Sequence, residues 1–313
     1  MKDVEIAVVI PAFKVVDHIK DVISSLPREI DHIIVVDDHC PLSSGKEAEK
    51  LNRENVIVLY HDLNQGVGGA VITGYEKALE LGCEIIVKMD GDGQMDPKYL
   101  NDLIAPLLKN EADYTKGNRF TYFKSLKSMP KARLFGNSGL SFLLKAASGY
   151  WNIMDPTNGY TAIHKRVLEK LDLEKISKRF FFESDMLINL NIINAVVKDI
   201  EMPARYEGEG SSLNVRKVLF QFPPKLLNGF IKRLSLKYFI YDFNMASVYI
   251  LLGLPMFIVS VLFGVVEWID SISTGEPKPA GTIMLVALPI IISFQMLLQA
   301  IQIDIHSIPR KDR

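Results

Sequence analysis

Cysteine is scarce in this chain of 313 residues. Cys40 and Cys83 are the only two, too few for a disulfide scaffold or a thiolate zinc site, and they read as packing residues in a reducing compartment. Net charge is scarce as well: 36 Lys and Arg nearly cancel 37 Asp and Glu, leaving −1. The basic excess or stripe of a nucleic-acid binder is missing. The N-terminus, Met1-Lys2-Asp3-Val4-Glu5, lacks the basic stretch and long apolar run of a secretory signal, so the first part of the chain is expected in the cytosol. No glycine-rich turn follows the first apolar run, which leads into Pro11-Ala12-Phe13-Lys14 instead. That argues against a dinucleotide oxidoreductase, whose fingerprint belongs there.

Charge is absent altogether from two stretches, Ala246 to Val266 and Gly281 to Ile303. As helices, each would reach about 30 Å, the thickness of a hydrocarbon core. Soluble helices of this length normally keep a polar face, and these offer only a few Gln and Ser. Pro255 and Pro289 are compatible with spanning, because membrane helices tolerate proline. Two membrane spans are therefore expected.

The flanking charges set an orientation. Lys217, Lys225, Lys232, Arg233 and Lys237 precede the first span against Asp242 alone. The loop between the spans holds Glu267, Asp270 and Glu276 against Lys278, and the tail ends in Arg310, Lys311 and Arg313. Lys and Arg are retained on the cytoplasmic side. The expectation is a multi-pass protein of the cytoplasmic (inner) membrane, crossing twice, with its large domain and both termini cytosolic. Its division is 1–216 as a soluble mixed domain, 217–243 as amphipathic helices on the anionic lipid surface, and 244–313 as the two-helix region with a short tail.

Within 1–216, short runs rich in Val and Ile recur at Ile6–Ile10, His32–Val36, Val56–Tyr60 and Glu84–Met89. Such runs suit buried parallel strands. Between them lie helical patterns: Val16, Ile19, Ile23 and Leu26 share one face, as do Val71, Tyr75, Ala78 and Leu79. The alternation predicts an α/β domain with a mostly parallel sheet covered by helices, and ligands bind outside the carboxyl ends of such strands. Those ends carry the unusual residues. The second run closes on Asp37-Asp38 and the fourth on Asp90-Gly91-Asp92-Gly93-Gln94. One acidic strand end is commonly a solvated turn or a helix cap; two in one parallel sheet point to a site. Asp90 and Asp92 can place two carboxylates around one hard cation, and Mg²⁺ or Mn²⁺ prefers such oxygen ligands. The cluster Gly66-Val67-Gly68-Gly69 fits either a ligand loop or a tight turn.

The motifs Val8-Val9-Ile10-Pro11-Ala12-Phe13, Val35-Val36-Asp37-Asp38, Asn64-Gln65-Gly66 and Met89-Asp90-Gly91-Asp92-Gly93-Gln94 stand in an order that resembles the family 2 glycosyltransferases of GT-A fold. Gly117-Asn118-Arg119, Asp155-Pro156-Thr157-Asn158-Gly159-Tyr160 and Phe182-Glu183-Ser184-Asp185 resemble the dolichyl-phosphate mannose synthase-like branch. The resemblance implies a Rossmann-like GT-A domain and inverting transfer of a sugar from a nucleotide diphosphate sugar to a polyprenyl phosphate, undecaprenyl or dolichyl, supplying a lipid-linked sugar for surface glycan or protein glycosylation. It also implies that Pro11, Ala12, Phe13, Asp38 and Gly66 hold the nucleotide. Asp90, Asp92 and Gln94 would hold Mg²⁺ or Mn²⁺, and Arg119 and Arg133 would receive the acceptor phosphate. Glu183 and Asp185 would lie near the sugar. Arg205 would supply a donor-diphosphate contact, because Ser211-Ser212-Leu213 lacks the lysine expected there. From the residues alone, either arginine fits a salt bridge equally well, and the acidic pair fits a helix cap. The partners implied are the donor, the lipid phosphate and the bilayer, without nucleic acid, and the tail is compatible with a homo-oligomer. Two other readings are weighed against this one. One is elongation of a lipid-linked glycan at a sugar hydroxyl; the other is a catalytically idle membrane scaffold, which would not need Asp90 and Asp92.

Overall fold

The computed structural model describes residues 4–119, 131–203 and 215–311. Residues 1–233 with 309–313 form one compact unit, and 234–308 a second.

The first unit is built on a seven-stranded sheet of order β3-β2-β1-β4-β6-β5-β7. Its strands are β1 (Ile6–Ala12), β2 (His32–Asp37), β3 (Val56–Tyr60), β4 (Ile85–Lys88), β5 (Tyr114–Asn118), β6 (Thr161–His164) and β7 (Val197–Glu201). Only β6 runs antiparallel to its neighbours, pairing with β4 and β5. The other six strands therefore end on one edge, as the alternating pattern predicts. Successive strand residues face opposite sides, and both sides are covered. Val8, Ile10, Ile33, Val35, Ile85 and Val87 enter one core with Ile19, Ile23 and Leu103. These last come from α1 (Ile19–Ser25) and α4 (Leu100–Leu108). Val9 on the other side meets α3 (Val67–Glu80), where only a glycine, Gly74, leaves it room. Burial on both faces is why these strands read as unbroken apolar runs rather than alternating ones.

The remaining helices of this unit are α2 (Ser44–Glu49), α5 (Lys131–Ser148), α6 (Lys165–Leu168), α7 (Phe182–Ile192) and α8 (Val215–Leu234). Arg233, expected from sequence to face the lipid surface, is instead fully buried. It donates from Nε to the Ala147 carbonyl and from Nη2 to that of Ala146, both at 2.9 Å. These are among the last carbonyls of α5, which have no partner within their own helix. Lys232 donates to Asn189 Oδ1 at 2.9 Å. The need to close a helix end claims Arg233, and a side-chain amide on α7 claims Lys232.

The second unit is a helical hairpin of α9 (Met245–Thr274) and α10 (Ala280–His306). Among the described residues, these two helices are long and apolar enough to cross a membrane, with mean hydropathy of 2.4 and 2.2. Asn244 caps α9 by accepting from Ala246 N at 2.9 Å, while its own backbone donates to Ser247 Oγ at 3.0 Å. Small residues lie along the seam: a side chain on Gly253 would press on Ser293 and Met296, and one on Gly264 on Val286. Close approach of this kind is how helices associate without a hydrophobic drive. The buried Asp304 accepts from Tyr238 OH at 2.7 Å.

Candidate active site

The strand ends carry the acidic residues as expected, and the bonds they make divide their work. Ala12 lies opposite Asp37 in the parallel register, and Asp38 N donates to the Ala12 carbonyl at 3.1 Å. Pro11, Ala12 and Phe13 thus lie beside the Asp37-Asp38 turn, with Phe13 exposed. Asp37 is buried and accepts from Cys40 N at 2.6 Å and Gly45 N at 2.7 Å. Asp38 is buried too. Its carboxylate accepts from Gln65 N at 2.8 Å and Gly66 N at 2.7 Å, and His61 Nδ1 lies 2.8 Å from Oδ1. Its visible role is therefore to pin the Asn64-Gln65-Gly66 turn. Gly66 has φ of +91°, which disfavours a side chain, and Gly69 N donates to the Lys178 carbonyl at 2.9 Å. Of the two readings of the glycine cluster, the tight turn is the one its contacts support.

β4 delivers the metal candidates. Asp90 and Asp92 follow it directly and are only partly buried. Asp92 Oδ1 accepts from Gln94 N at 3.0 Å. Burial pushes the Asp92 carboxyl above its ordinary range, the Gln94 amide draws it back, and neighbouring Asp90 pushes it further up. Among the described residues, Asp90 Oδ2 and Asp92 Oδ2 accept no hydrogen bond. Two carboxylates with an oxygen each to spare, that of Asp92 in surroundings that penalise its charge, suit a small hard cation. This donor set fits Mg²⁺ or Mn²⁺. A separate Glu5, His32 and Cys83 grouping lies at the opposite ends of the strands.

Beneath Asp90 lies a residue not singled out from the sequence. Lys88, with a side chain 1% exposed, sits 2.7 Å from Asp90 Oδ1 and 3.1 Å from Glu183 Oε1. Burial pulls its ammonium down, but Asp90 and Glu183 outweigh that and hold it above the ordinary lysine value. The signal was present: a lysine in the apolar strand Ile85-Ile86-Val87-Lys88, two residues before a carboxylate and hence on the same side of the chain.

The far half of the sheet adds more buried polar groups. Arg119 follows β5 and grips the fully buried Asp155, from Nε at 2.7 Å and Nη2 at 3.2 Å. Its contacts support the salt-bridge alternative. Lys116, buried on β5, donates to the Asn158 carbonyl, and burial lowers its ammonium to about 8. Asp199 on β7 accepts from Met154 N at 2.7 Å, and burial raises its carboxyl to about 6. Asp185 accepts from Ser177 N at 2.8 Å and from its own helix neighbour Asn189 at 3.1 Å, so it ties the loop before α7. Arg133 lies on α5, with its side chain outside the described residues, as are all of Arg205 and Ser211-Ser212-Leu213.

Comparison with known proteins agrees with this geometry. Residues 7–172 match the model of glycosyl transferase family 2. The chain is 36% identical over 220 residues to a UDP-N-acetylglucosamine–dolichyl-phosphate N-acetylglucosaminyltransferase of Methanococcus voltae, covering 64% of this chain and 87% of that one. It is 29% identical over 216 residues to a polyprenol monophosphomannose synthase of Mycolicibacterium smegmatis, covering 64% and 78%. In fold it resembles the glucosyl-3-phosphoglycerate synthase of Mycobacterium tuberculosis, solved with Mn²⁺, UDP and phosphoglyceric acid. The TM-score is 0.55 at 16% identity, over 74% of this chain and 78% of that one. With its GT-A sheet and its ordered strand-end motifs, the chain belongs to glycosyl transferase family 2.

Proposed function

We propose that this protein transfers a sugar, with inversion, from a nucleotide diphosphate sugar to a polyprenyl phosphate at the cytosolic face of a membrane crossed by α9 and α10. The observation that carries the reading is the pair Asp90 and Asp92, each with one carboxylate oxygen unengaged, beside the Pro11–Phe13 and Asp38 turns. The names of the relatives support it, because one specifies transfer from UDP-N-acetylglucosamine to dolichyl phosphate and the other synthesis of a polyprenol monophosphomannose. The count of basic residues supports the orientation: the loop between the two helices holds Lys278 alone, against Lys217, Lys225, Lys232, Arg233 and Lys237 before α9 and Arg310, Lys311 and Arg313 in the tail.

Phe13 offers an exposed ring to the nucleobase. The Asp38-pinned turn shapes the pocket beside it. Asp90, Asp92 and Gln94 would hold Mg²⁺ or Mn²⁺, which neutralises charge on the leaving diphosphate. Arg133 receives the acceptor phosphate, and Arg119, aligned by Asp155, flanks it. A phosphate monoester has its second pKa near about 6, so it is largely a dianion at neutral pH and attacks without a base. A sugar hydroxyl would require one, yet Asp185 is committed to Ser177 and Asn189, and Glu183 to Lys88. That engagement favours the phosphate over the hydroxyl as acceptor.

The test separates the two substrates. Arg133→Ala should weaken use of the lipid phosphate by roughly 10- to 100-fold and leave nucleotide-sugar binding nearly unchanged. Arg133→Lys should recover only part of the loss, because a point charge replaces a planar fork. Impaired donor binding with intact acceptor use would reject the assignment.

A further inference from the structure

The assignment of Asp90 and Asp92 to a divalent cation leaves a third carboxylate unexplained. Glu183 reaches the same place from the first turn of α7, 95 residues away in sequence from Lys88. Three carboxylates converging on one site would ordinarily all seek the cation, since hard divalent ions gain from each anionic oxygen they collect. Here, one of the three is already satisfied by the protein. Lys88 Nζ lies between Asp90 Oδ1 and Glu183 Oε1, at 2.7 and 3.1 Å.

The surrounding chain is built around that ammonium. Lys88 lies opposite Thr161 in the β4–β6 register, which places the Asn158-Gly159-Tyr160 segment over it. A side chain at Gly159 would put its Cβ 2.4 Å from Lys88 Nζ and 2.8 Å from Asp90 Oδ2. Only a glycine lets the backbone close here. Glu183 is anchored independently, because the turn before it is tied by Phe182 N to the Arg179 carbonyl at 2.9 Å and by Gly69 N to that of Lys178 at 2.9 Å. The lysine therefore does not merely follow a mobile glutamate.

We propose that Lys88 is a positioning residue that acts as a resident cation: its ammonium holds Glu183 out of the metal shell and leaves Asp90 a single oxygen to offer. The inference rests on the reading of Asp90 and Asp92 as metal ligands. Glu183 is thereby kept as a fixed hydrogen-bond acceptor for the donor sugar, and the divalent ion stays on the solvent side of Asp90, where a diphosphate can reach it.

The consequence is counter-intuitive and measurable. Removing a nearby positive charge favours binding of another cation. In full-length protein in detergent, with free Mn²⁺ followed by electron paramagnetic resonance, Lys88→Met should bind Mn²⁺ at least about tenfold more tightly, while sugar transfer falls. Adding Glu183→Gln to Lys88→Met should return Mn²⁺ affinity to near the wild-type value, because the extra carboxylate is gone. This double variant buries one uncompensated charge fewer, so it also serves if Lys88→Met alone does not fold. In that case it should bind Mn²⁺ with near wild-type affinity, and a large loss would count against the inference. A lysine that only braces its neighbours predicts the opposite, a loss of about 10- to 100-fold in metal affinity. Unchanged or weaker Mn²⁺ binding in Lys88→Met would overturn the inference. Asp92→Asn in the wild-type background tells the two levels apart. If Mn²⁺ affinity survives it, the metal assignment falls and the lysine inference with it. If Asp92→Asn abolishes binding while Lys88→Met leaves it unchanged, only the role of Lys88 is rejected.

Discussion

The two halves of the catalytic sheet build their shares of the site by different means. From β1 to β4, acidic side chains at strand ends bind backbone amides of nearby turns: Asp37 takes Cys40 and Gly45, and Asp38 takes Gln65 and Gly66. From β5 to β7, cationic side chains find partners across the fold: Arg119 grips the buried Asp155, and the buried Lys116 meets the Asn158 carbonyl. Lys88, at the end of β4, bridges the two halves by reaching across to Glu183. The first half fixes its turns with bonds from side-chain carboxylates to backbone amides. The second holds its loops with buried charge, which is costly to desolvate and costlier to break. The lesson is that the half from β1 to β4, where the nucleotide is proposed to bind, should tolerate changes outside its turns, whereas the far side should fail through single ionic contacts.

The largest expected effect lies at the boundary between the halves. Asp92→Asn should lower turnover by at least about 100-fold, the order of loss for a group that stabilises transition-state charge, with the fold intact by circular dichroism. Full activity after removal of divalent cations with EDTA would contradict it.

Next comes the far half. Asp155→Asn keeps the shape of the side chain but removes the anion that Arg119 grips. The cost should be about 2 kcal/mol, near the low end for a buried pair because Arg119 keeps access to water, read as a thermal midpoint about 4–8 °C lower. A melting curve equal to wild type would show that this contact does not brace the far half.

The last effect is a change of slope with pH. Burial raises Asp199 from 3.8 to about 6, so the folded protein holds a proton that the unfolded chain releases earlier. The stabilisation is complete below about pH 4 and is lost as pH rises through about 6. Asp199→Asn, which still accepts from Met154 N, should flatten the fall in thermal midpoint between those values. An unchanged slope would place the titration elsewhere.

How far the sequence reached follows the same division. Ile6–Ile10 and His32–Val36 were legible as strands because parallel strands buried on both faces are unbroken apolar runs, and Val56–Tyr60, a partly buried edge strand, was legible from its β-branched residues. Asp90 and Asp92 stood out because two strand ends of one parallel sheet carry carboxylate pairs, although the other pair, Asp37-Asp38, is occupied by backbone amides of its turns. β5, β6 and β7 were not read, because Tyr114-Thr115-Lys116-Gly117-Asn118 and Val197-Lys198-Asp199-Ile200-Glu201 mix charge and polarity within the strand. Lys88 showed as a charge in an apolar strand, but its use did not. Its partner is 95 residues away, and no local periodicity encodes such a pairing. The basic stretch before α9 showed its charge but not its use, since Arg233 closes the end of α5.

The central claim is that the acceptor nucleophile is a lipid phosphate. Purified full-length protein would be given a nucleotide sugar together with two acceptors, polyprenyl phosphate and a polyprenyl-diphosphate-linked sugar, and the lipids resolved by mass spectrometry. The account predicts a polyprenyl monophosphate carrying one added sugar, formed only with Mg²⁺ or Mn²⁺ present, and no change in the diphosphate-linked lipid. A second sugar added to the diphosphate-linked lipid, with polyprenyl phosphate untouched, would contradict it.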